Sequence, residues 1–367
     1  MEEPKKTCLH DLHLKAGAKM SPFGGFDMPI EYSGLDNEHR AVRNAVGVFD
    51  VSHMGEVLVA GTQAESFVNY IFTNDIRTLS PGEIQYGMMC RPDGGVIDDL
   101  LVYKVAAHRF LLVINAGNID KDQQWILDQA KNFDIKVELL SDQYGELAIQ
   151  GPQAAEVLSE VFGLATDDLR FYTFKEIKDA ANGSMPVYVS RTGYTGEDGF
   201  EIYADHTLTR YMWNVLMENG VTPCGLGCRD TLRFEAGLPL YGDELAEDIT
   251  PLEAGLGMFV KLDKDDFIGR DALAAQKAGG VPRKVVGLKI DSPATARHGF
   301  EVLDNDGNVI GHITTGYNTI SVEGNYAMAL IDATHAALDT PVQVRIRRKI
   351  APAIVVKKRF YTPKYKK

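Results

Sequence analysis

The chain has 367 residues, 45% hydrophobic and 24% charged, with a formal net charge of −13 at pH 7. That length is too great for a single core, so two or three domains are expected, and no run approaches the ~18 apolar residues of a membrane span. The charge is uneven: Pro341 to Lys367 holds ten Lys or Arg and no acid, while the preceding 340 residues hold 28 bases against 51 acids. A body this acidic argues against general nucleic-acid binding, which is driven by phosphate neutralisation.

The N-terminus, MEEPKKTCLHDLHLK, contains acids and no apolar core, and reads as neither a signal nor a transit peptide. Cys8, Cys90, Cys224 and Cys228 are too few and too scattered for a disulfide framework, which fits a reducing compartment. Residues 55–72, GEVLVAGTQAESFVNYIF, recur in pattern ninety positions later as GELAIQGPQAAEVLSEVF (145–162). Each copy reads as a short strand, a glycine turn and a helix, so two related α/β units about a pseudo-symmetric centre are expected. Between and after the copies, 86–90 and 96–103 flank the turn RPDGG, 109–115 is a third strand, and 119–132 is an amphipathic helix. Strands at 187–190 and 199–204 flank a glycine-rich loop, and helices follow at 206–218 and 229–236. Hairpins with interspersed helices favour α+β over a doubly wound sheet. AAQKAGGVPRK (274–284) reads as a linker. Short alternating segments then follow at 285–290, 299–303, 309–314, 326–331, 342–346 and 354–360, the pattern of a small antiparallel barrel.

Within 94–103, GGVIDDLLVY, two adjacent carboxylates interrupt an apolar strand. Alternation places Asp98 and Asp99 on opposite faces, and a buried carboxylate needs a partner or a task. The loop RTGYTGEDGFEIY (191–203) lacks the ending of a P-loop. Its glycines allow close backbone approach, and a carboxylate there suits a fused heterocycle with adjacent N–H donors, or else simply faces solvent on a hairpin. Arg229 and Arg233 lie four apart on one helix face, placed for anion recognition or for pairing with Asp230 or Glu235. Cys224 and Cys228 share that spacing without a second Cys/His pair, so no zinc site is expected, and His53 in VSHMG reads as a packed or hydrogen-bonded histidine.

Taken together, GAKMSPFGGFDMPIEY (17–32), AVRNAVGVFDVSHMGE (41–56), GGVIDDLLVYKV (94–105), SRTGYTGEDGFEIY (190–203), GLGCRDTLRFEAGLPLYGDEL (225–245) and TPLEAGLG (250–257) resemble the T-protein family of the glycine cleavage system. These are tetrahydrofolate-dependent aminomethyltransferases. The resemblance implies an α+β cloverleaf of three domains: 1–54 with 140–225, 55–139 with 226–275, and a C-terminal β-barrel over 283–367. It implies methylene transfer from the lipoyl-bound aminomethyl group of H-protein to tetrahydrofolate, with release of ammonia. The implied catalyst is Asp99, with Asp98 as the alternative, in ionised form. The implied folate contacts are Met54, Tyr86, Asp99, Tyr103, Asn115, Tyr172, Tyr194, Glu197 and Arg229. An Arg near the family's C-terminus falls here on Lys367, and the basic tail, with Lys364, Lys366 and Lys367, is the expected H-protein contact. A cytoplasmic location in a bacterium, or the mitochondrial matrix in a eukaryote, follows, with no nucleic acid, membrane or metal partner. Two rivals share features of the fold: a folate-dependent demethylase of a small sulfonium or N-methyl compound, and a non-enzymatic iron–sulfur assembly factor. The latter's Lys-Gly-Cys motif has no counterpart in KLDKDDFIGRDAL (261–273).

Overall fold

In a computed structural model, residues 3–177 and 185–366 are described, and they build two large open sheets, a two-stranded hairpin (Lys19–Phe23 with Phe26–Glu31) and a closed barrel. The first sheet runs in the order Phe174–Ile177, Val187–Ser190, Gly199–Asp205, Tyr144–Gln150, Gly47–Asp50 and Thr222–Pro223, antiparallel except at its last pair. One face is covered by the helices Ala154–Phe162 and His206–Glu218, over a core that includes Val48, Leu147, Ile149, Leu158, Phe200, Ile202 and Trp213. The second sheet, wholly antiparallel, runs Ile84–Cys90, Val96–Ala106, Arg109–Ile114, Gly55–Ala60 and Lys136–Leu139. The helices Ala64–Ile71 and Ile119–Ala130 pack on it around Phe67, Phe72, Phe110 and Ile126.

The uncovered faces of the two sheets meet. Leu58, Ile84, Tyr103, Leu111 and Val113 from the second pack against Tyr144, Phe174, Tyr188 and Tyr203 from the first, in a seam rich in tyrosine. Tyrosines suit such a seam because each brings a large apolar ring and a hydroxyl that finds a partner when buried.

The internal repeat is structural. In each copy a strand ends at a glycine of positive φ, Gly61 (+141°) or Gly151 (+131°), a Gln precedes the helix, and the helix starts at Ala64 or Ala154. A Cβ on Gly61 would lie 2.6 Å from the Asp134 carbonyl oxygen, and one on Gly151 would lie 2.4 Å from that of Ala45. Only glycine fits, for both conformational and steric reasons.

The expected linker at 274–284 is corrected. A helix occupies Arg270–Gly279, and only residues 280–282 connect it to the first barrel strand, Arg283–Ile290. Alanine at 272, 274 and 275 with Lys277 makes a strong helix former, and Leu273, 0% exposed, anchors it. The barrel closes in the order Arg283–Ile290, Asn325–Asp332, Val309–Asn318, Glu301–Leu303, Pro341–Ile346 and Lys349–Val356. Its last strand therefore ends earlier than the 354–360 expected. The chain beyond it turns back over the helix Leu226–Ala236 and the glycine-rich loop of the first sheet: the N–H groups of Phe360 and Tyr361 donate to the Glu235 carbonyl, and that of Lys364 donates to the Gly196 carbonyl.

Candidate active site

The acidic doublet lies on the strand Val96–Ala106, with Asp98 opposite Met89 and Asp99 opposite Met88. Asp98 is 0% exposed and saturated. The Asn115 N–H donates to its Oδ2 at 2.9 Å, and the Asn115 and Asn118 amides donate to its Oδ1 at 2.9 and 2.7 Å. Asp99 is half-buried; the Tyr86 hydroxyl donates to its Oδ2 at 2.8 Å and the Asn115 amide to its Oδ1 at 2.9 Å. Burial, then the charge of Asp98, pushes Asp99 up to about 7, while Tyr86 and Asn115 pull the other way. The partners thus offset only part of the desolvation. Asp99, expected in ionised form, is thus held well above the usual carboxylate range.

Tyrosines surround it. Tyr86 meets Phe259 edge-on at 4.9 Å. Tyr194 donates its hydroxyl to the Pro239 carbonyl and lies under the Arg229 guanidinium, 4.5 Å from the ring centre. Tyr172 adopts φ +63°, a left-handed conformation that strains a bulky residue by about 1–3 kcal/mol. Two backbone bonds hold it there, its N–H to the Arg191 carbonyl at 3.0 Å and its carbonyl from the Ile84 N–H at 2.9 Å. Tyr103 is fully sealed, bonded to Ser190 Oγ at 3.1 Å and to the Tyr203 hydroxyl at 3.0 Å. Of the two helix arginines, Arg233 is consumed by Asp230 at 2.7 Å and Glu244 at 2.8 Å. Arg229 has no ion-pair partner within 4.0 Å among the described residues; its charge acts on Tyr194, His53 and Glu201. A cavity of about 210 Å³ opens against Met54, Asn115 and Arg229, with His53 and Tyr241 in its wall. Two larger hollows, of about 600 and 800 Å³, lie on the barrel and contain none of the expected folate contacts.

Glu197 departs from expectation. It is 2% exposed, and its Oε1 receives Tyr361 at 2.6 Å and Arg43 at 3.2 Å, so it joins the loop to the C-terminal tail. The carboxylate turned toward the tyrosine seam is Glu201. Along Gly199–Asp205, Phe200 and Ile202 enter the helix-covered core, which leaves Glu201 and Tyr203 on the opposite face. Glu201 takes a 2.5 Å bond from Thr192; burial raises it, with Thr192 and Arg229 opposing. The lone acid in the apolar alternation GFEIY was the sequence signal for it. The paired repeat glutamates, Glu56 and Glu146, are also sealed, raised by burial, and each leaves Oε2 without a partner among the described residues.

His53 is packed as expected, between Phe23 and Phe26, and burial with the nearby Arg229 charge holds it neutral, down to about 3. Glu38, Cys224 and Cys228 converge within 4.8 Å of one another. Glu38, however, is occupied by the N–H groups of Tyr32, Ser33 and Gly225 at 2.6, 2.9 and 2.8 Å, and burial pushes the Cys228 thiol up. The carboxylate acts as a clip for two loops. Lys364 and Lys366 are exposed on the tail, and Lys367 lies outside the described residues.

Residues 9–264 match the GCVT N-terminal domain, and 283–362 match the glycine cleavage T-protein C-terminal barrel domain. A protein of Alkaliphilus oremlandii named aminomethyltransferase is 48% identical over 100% of both chains. One of Clostridium botulinum (strain Okra) with the same name is 46% identical over the same share. The crystal structure of glycine cleavage system aminomethyltransferase T from Bartonella henselae is 35% identical and covers all of both chains, with a TM-score of 0.94. With both domain models matched in order and full-length relatives near half identity, the chain belongs to the glycine cleavage T-protein family and is an aminomethyltransferase.

Proposed function

We propose that the protein moves the methylene of an aminomethyl group, carried on the lipoyl sulfur of H-protein, to tetrahydrofolate. The products are 5,10-methylenetetrahydrofolate, ammonia and dihydrolipoyl H-protein. Two hydrogens leave the folate, from N5 and N10; one ends on ammonia and the other on the lipoyl thiol. The observation that carries this reading is Asp99, half-buried among Tyr86, Tyr172 and Tyr194, oriented by one asparagine and raised to about 7. Such a group takes the N10 proton as the new C–N bond forms and steadies the cationic character that develops, typically contributing ~10²–10⁴-fold. Asp98, saturated behind it, is the support and not the base.

In this reading the folate lies in the cleft between the sheets. Its pterin donors meet Glu201, which keeps open surface, in preference to Glu197, which Arg43 and Tyr361 already occupy. Tyr86, Tyr172 and Tyr194 flank its aromatic parts, Met54 and Asn115 line the approach, and Arg229 supplies positive charge; Tyr103 supports the wall from behind. The three bodies divide as 1–54 with 140–225, 55–139 with 226–275, and 283–367, a division supported by the strands of each sheet falling within one set. The exposed Lys364 and Lys366 are read as part of the face that meets an acidic H-protein. Bacterial relatives and four free cysteines support a cytoplasmic location. The test supplies tetrahydrofolate with aminomethyl-loaded H-protein, or with small methyl donors, and follows ammonia and methylenetetrahydrofolate. Turnover with the small donors alone would replace this reading by a demethylase.

A further inference from the structure

The glycine-rich loop is held from behind by a residue far from it in the chain. The helix Leu35–Asn44 packs on the helix Leu226–Ala236, and His39 and Arg43, one turn apart, enter the junction. Arg43 is buried, and its guanidinium is shared among three segments. Its Nη1 donates to the Thr195 carbonyl at 2.6 Å and to Glu197 Oε1 at 3.2 Å. Its Nη2 donates to the Leu232 carbonyl and to Glu235 Oε2, each at 3.4 Å, and its Nε to Ser321 Oγ at 3.0 Å. The Tyr361 ring covers it, with the ring centre 3.9 Å from the guanidinium carbon. A planar fork meets so many acceptors at once, whereas a lysine brings one nitrogen. The Thr195 carbonyl leads toward the cleft. Thr195 Oγ1 donates to Gln150 Oε1 at 2.9 Å, the Gln150 amide donates to the Thr192 carbonyl at 3.1 Å, and Thr192 Oγ1 donates to Glu201 Oε2 at 2.5 Å. Tyr194 precedes Thr195 directly. At Gly196, φ +82°, a Cβ would lie 2.9 Å from that of Ala236, so the loop sits on the helix that carries Arg229.

We propose, on the reading that folate occupies the cleft between the sheets, that Arg43 is a positioning residue for it. By fixing the Thr195 carbonyl to the helix Leu226–Ala236, it sets Tyr194 and Glu201 on the loop at a constant spacing from Arg229 on the helix. Two sealed carboxylates, Glu197 and Glu235, balance its charge and keep the guanidinium in one place. Glu235 Oε1 also receives the N–H groups of Ile320 and Ser321 at 2.6 and 2.9 Å, which brings in the barrel hairpin. The tail closes over the junction from outside, with the Tyr361 hydroxyl on Glu197 and the Lys364 N–H on the Gly196 carbonyl at 2.8 Å. Barrel and tail therefore bear on the spacing of one binding site, although Tyr194, Glu201 and Arg229 lie outside the barrel. A glutamine at 197 still offers an acceptor and leaves the Arg43–Thr195 bond in place, so the ligand geometry depends on Arg43 more than on its carboxylate partner.

Arg43→Lys keeps a positive charge between the two carboxylates and loses the fork. It is expected to raise the tetrahydrofolate KM and the calorimetric Kd about tenfold and to leave kcat within about threefold. The pH–rate profile should stay in place, because Asp99 and Tyr86 lie on the other sheet. In a double-mutant cycle the penalty on Kd should shrink below about threefold in a Glu201→Gln background and stay near tenfold in an Asp99→Asn background. Hydrogen exchange of the ligand-free protein should quicken about tenfold at the amides of 193–198 and not along Tyr144–Gln150. Where the lysine variant fails to fold, Arg43→Met combined with Glu197→Gln and Glu235→Gln leaves no unpaired buried charge, and the pair of glutamine changes alone is its reference. A Kd within about twofold of the reference, a loss confined to kcat, or an undiminished penalty in the Glu201→Gln background overturns the proposal. Absence of tetrahydrofolate binding by the wild type would instead remove the reading of the cleft, while the exchange rates would still decide whether Arg43 holds the loop.

Discussion

Replacing Asp99 by Asn separates catalysis from stability in opposite directions. The folded chain holds this carboxyl at about 7, whereas an unfolded chain has it near ~3.9. Between those values the folded state keeps a proton that the unfolded state has released. The stabilising contribution is therefore fully present below about pH 4 and is lost as pH rises through about 7. Three pH units correspond to about 4 kcal/mol at most, the cost of holding the anion in a buried site, beside Asp98, at pH ~8. Asparagine has the same shape and no charge, and can still pair with Tyr86. Urea unfolding should find Asp99→Asn more stable than wild type by up to ~4 kcal/mol at pH ~8, with the gap closing as pH falls below about 5. Turnover with tetrahydrofolate and loaded H-protein should fall by ~10²–10⁴-fold, and the wild-type rate should rise with pH through about 7 as the base ionises. A variant less stable than wild type at pH ~8, or one with turnover within about threefold, would refute the reasoning.

Three further outcomes follow from named contacts. Glu201→Gln should weaken folate binding by about 1.5–3 kcal/mol in calorimetry, while Glu197→Gln, which loosens Tyr361 and Arg43, should change affinity less and thermal stability more; equal affinity losses would return Glu197 to the ligand. Gly151→Ala forces a Cβ to 2.4 Å from the Ala45 carbonyl at φ +131°, so denaturant unfolding should show a loss of at least ~2 kcal/mol, and a neutral change would contradict the packing of the repeat. Neutralising Lys364 and Lys366 together should raise KM for H-protein several-fold at low salt and little at high salt; an unaltered KM at low salt would make the tail ordinary surface.

What could be read from the sequence was local. The helix His206–Glu218 and the strands Val187–Ser190 and Gly199–Asp205 lie where periodicity placed them, because apolar spacing and flanking turn residues are written within each segment. The repeat was visible for the same reason, since its glycines answer to backbone contacts that no other residue tolerates. The helix Arg270–Gly279 was misread because the glycine pair at its end outweighed the alanines before it. Glu197 and Glu201 could not be ranked along the chain. Both are acids in one glycine-bounded segment, and what separates them is Arg43, 154 positions away from Glu197, and a tail that returns from the barrel. The same holds at the doublet. Alternation says that Asp98 and Asp99 face opposite ways, but not which is saturated. That is decided by Asn115, at the end of the adjacent strand, whose backbone and side chain close over Asp98 while its amide reaches Asp99. An asparagine ending a strand reads as a turn residue in any sequence. It becomes the part that holds the proposed catalytic carboxylate only when strand register sets it beside two acids sixteen and seventeen positions earlier. For that reason the fold was more legible than the site: a fold repeats its instructions in every turn and strand, whereas a site depends on single partners brought together across register and sheet.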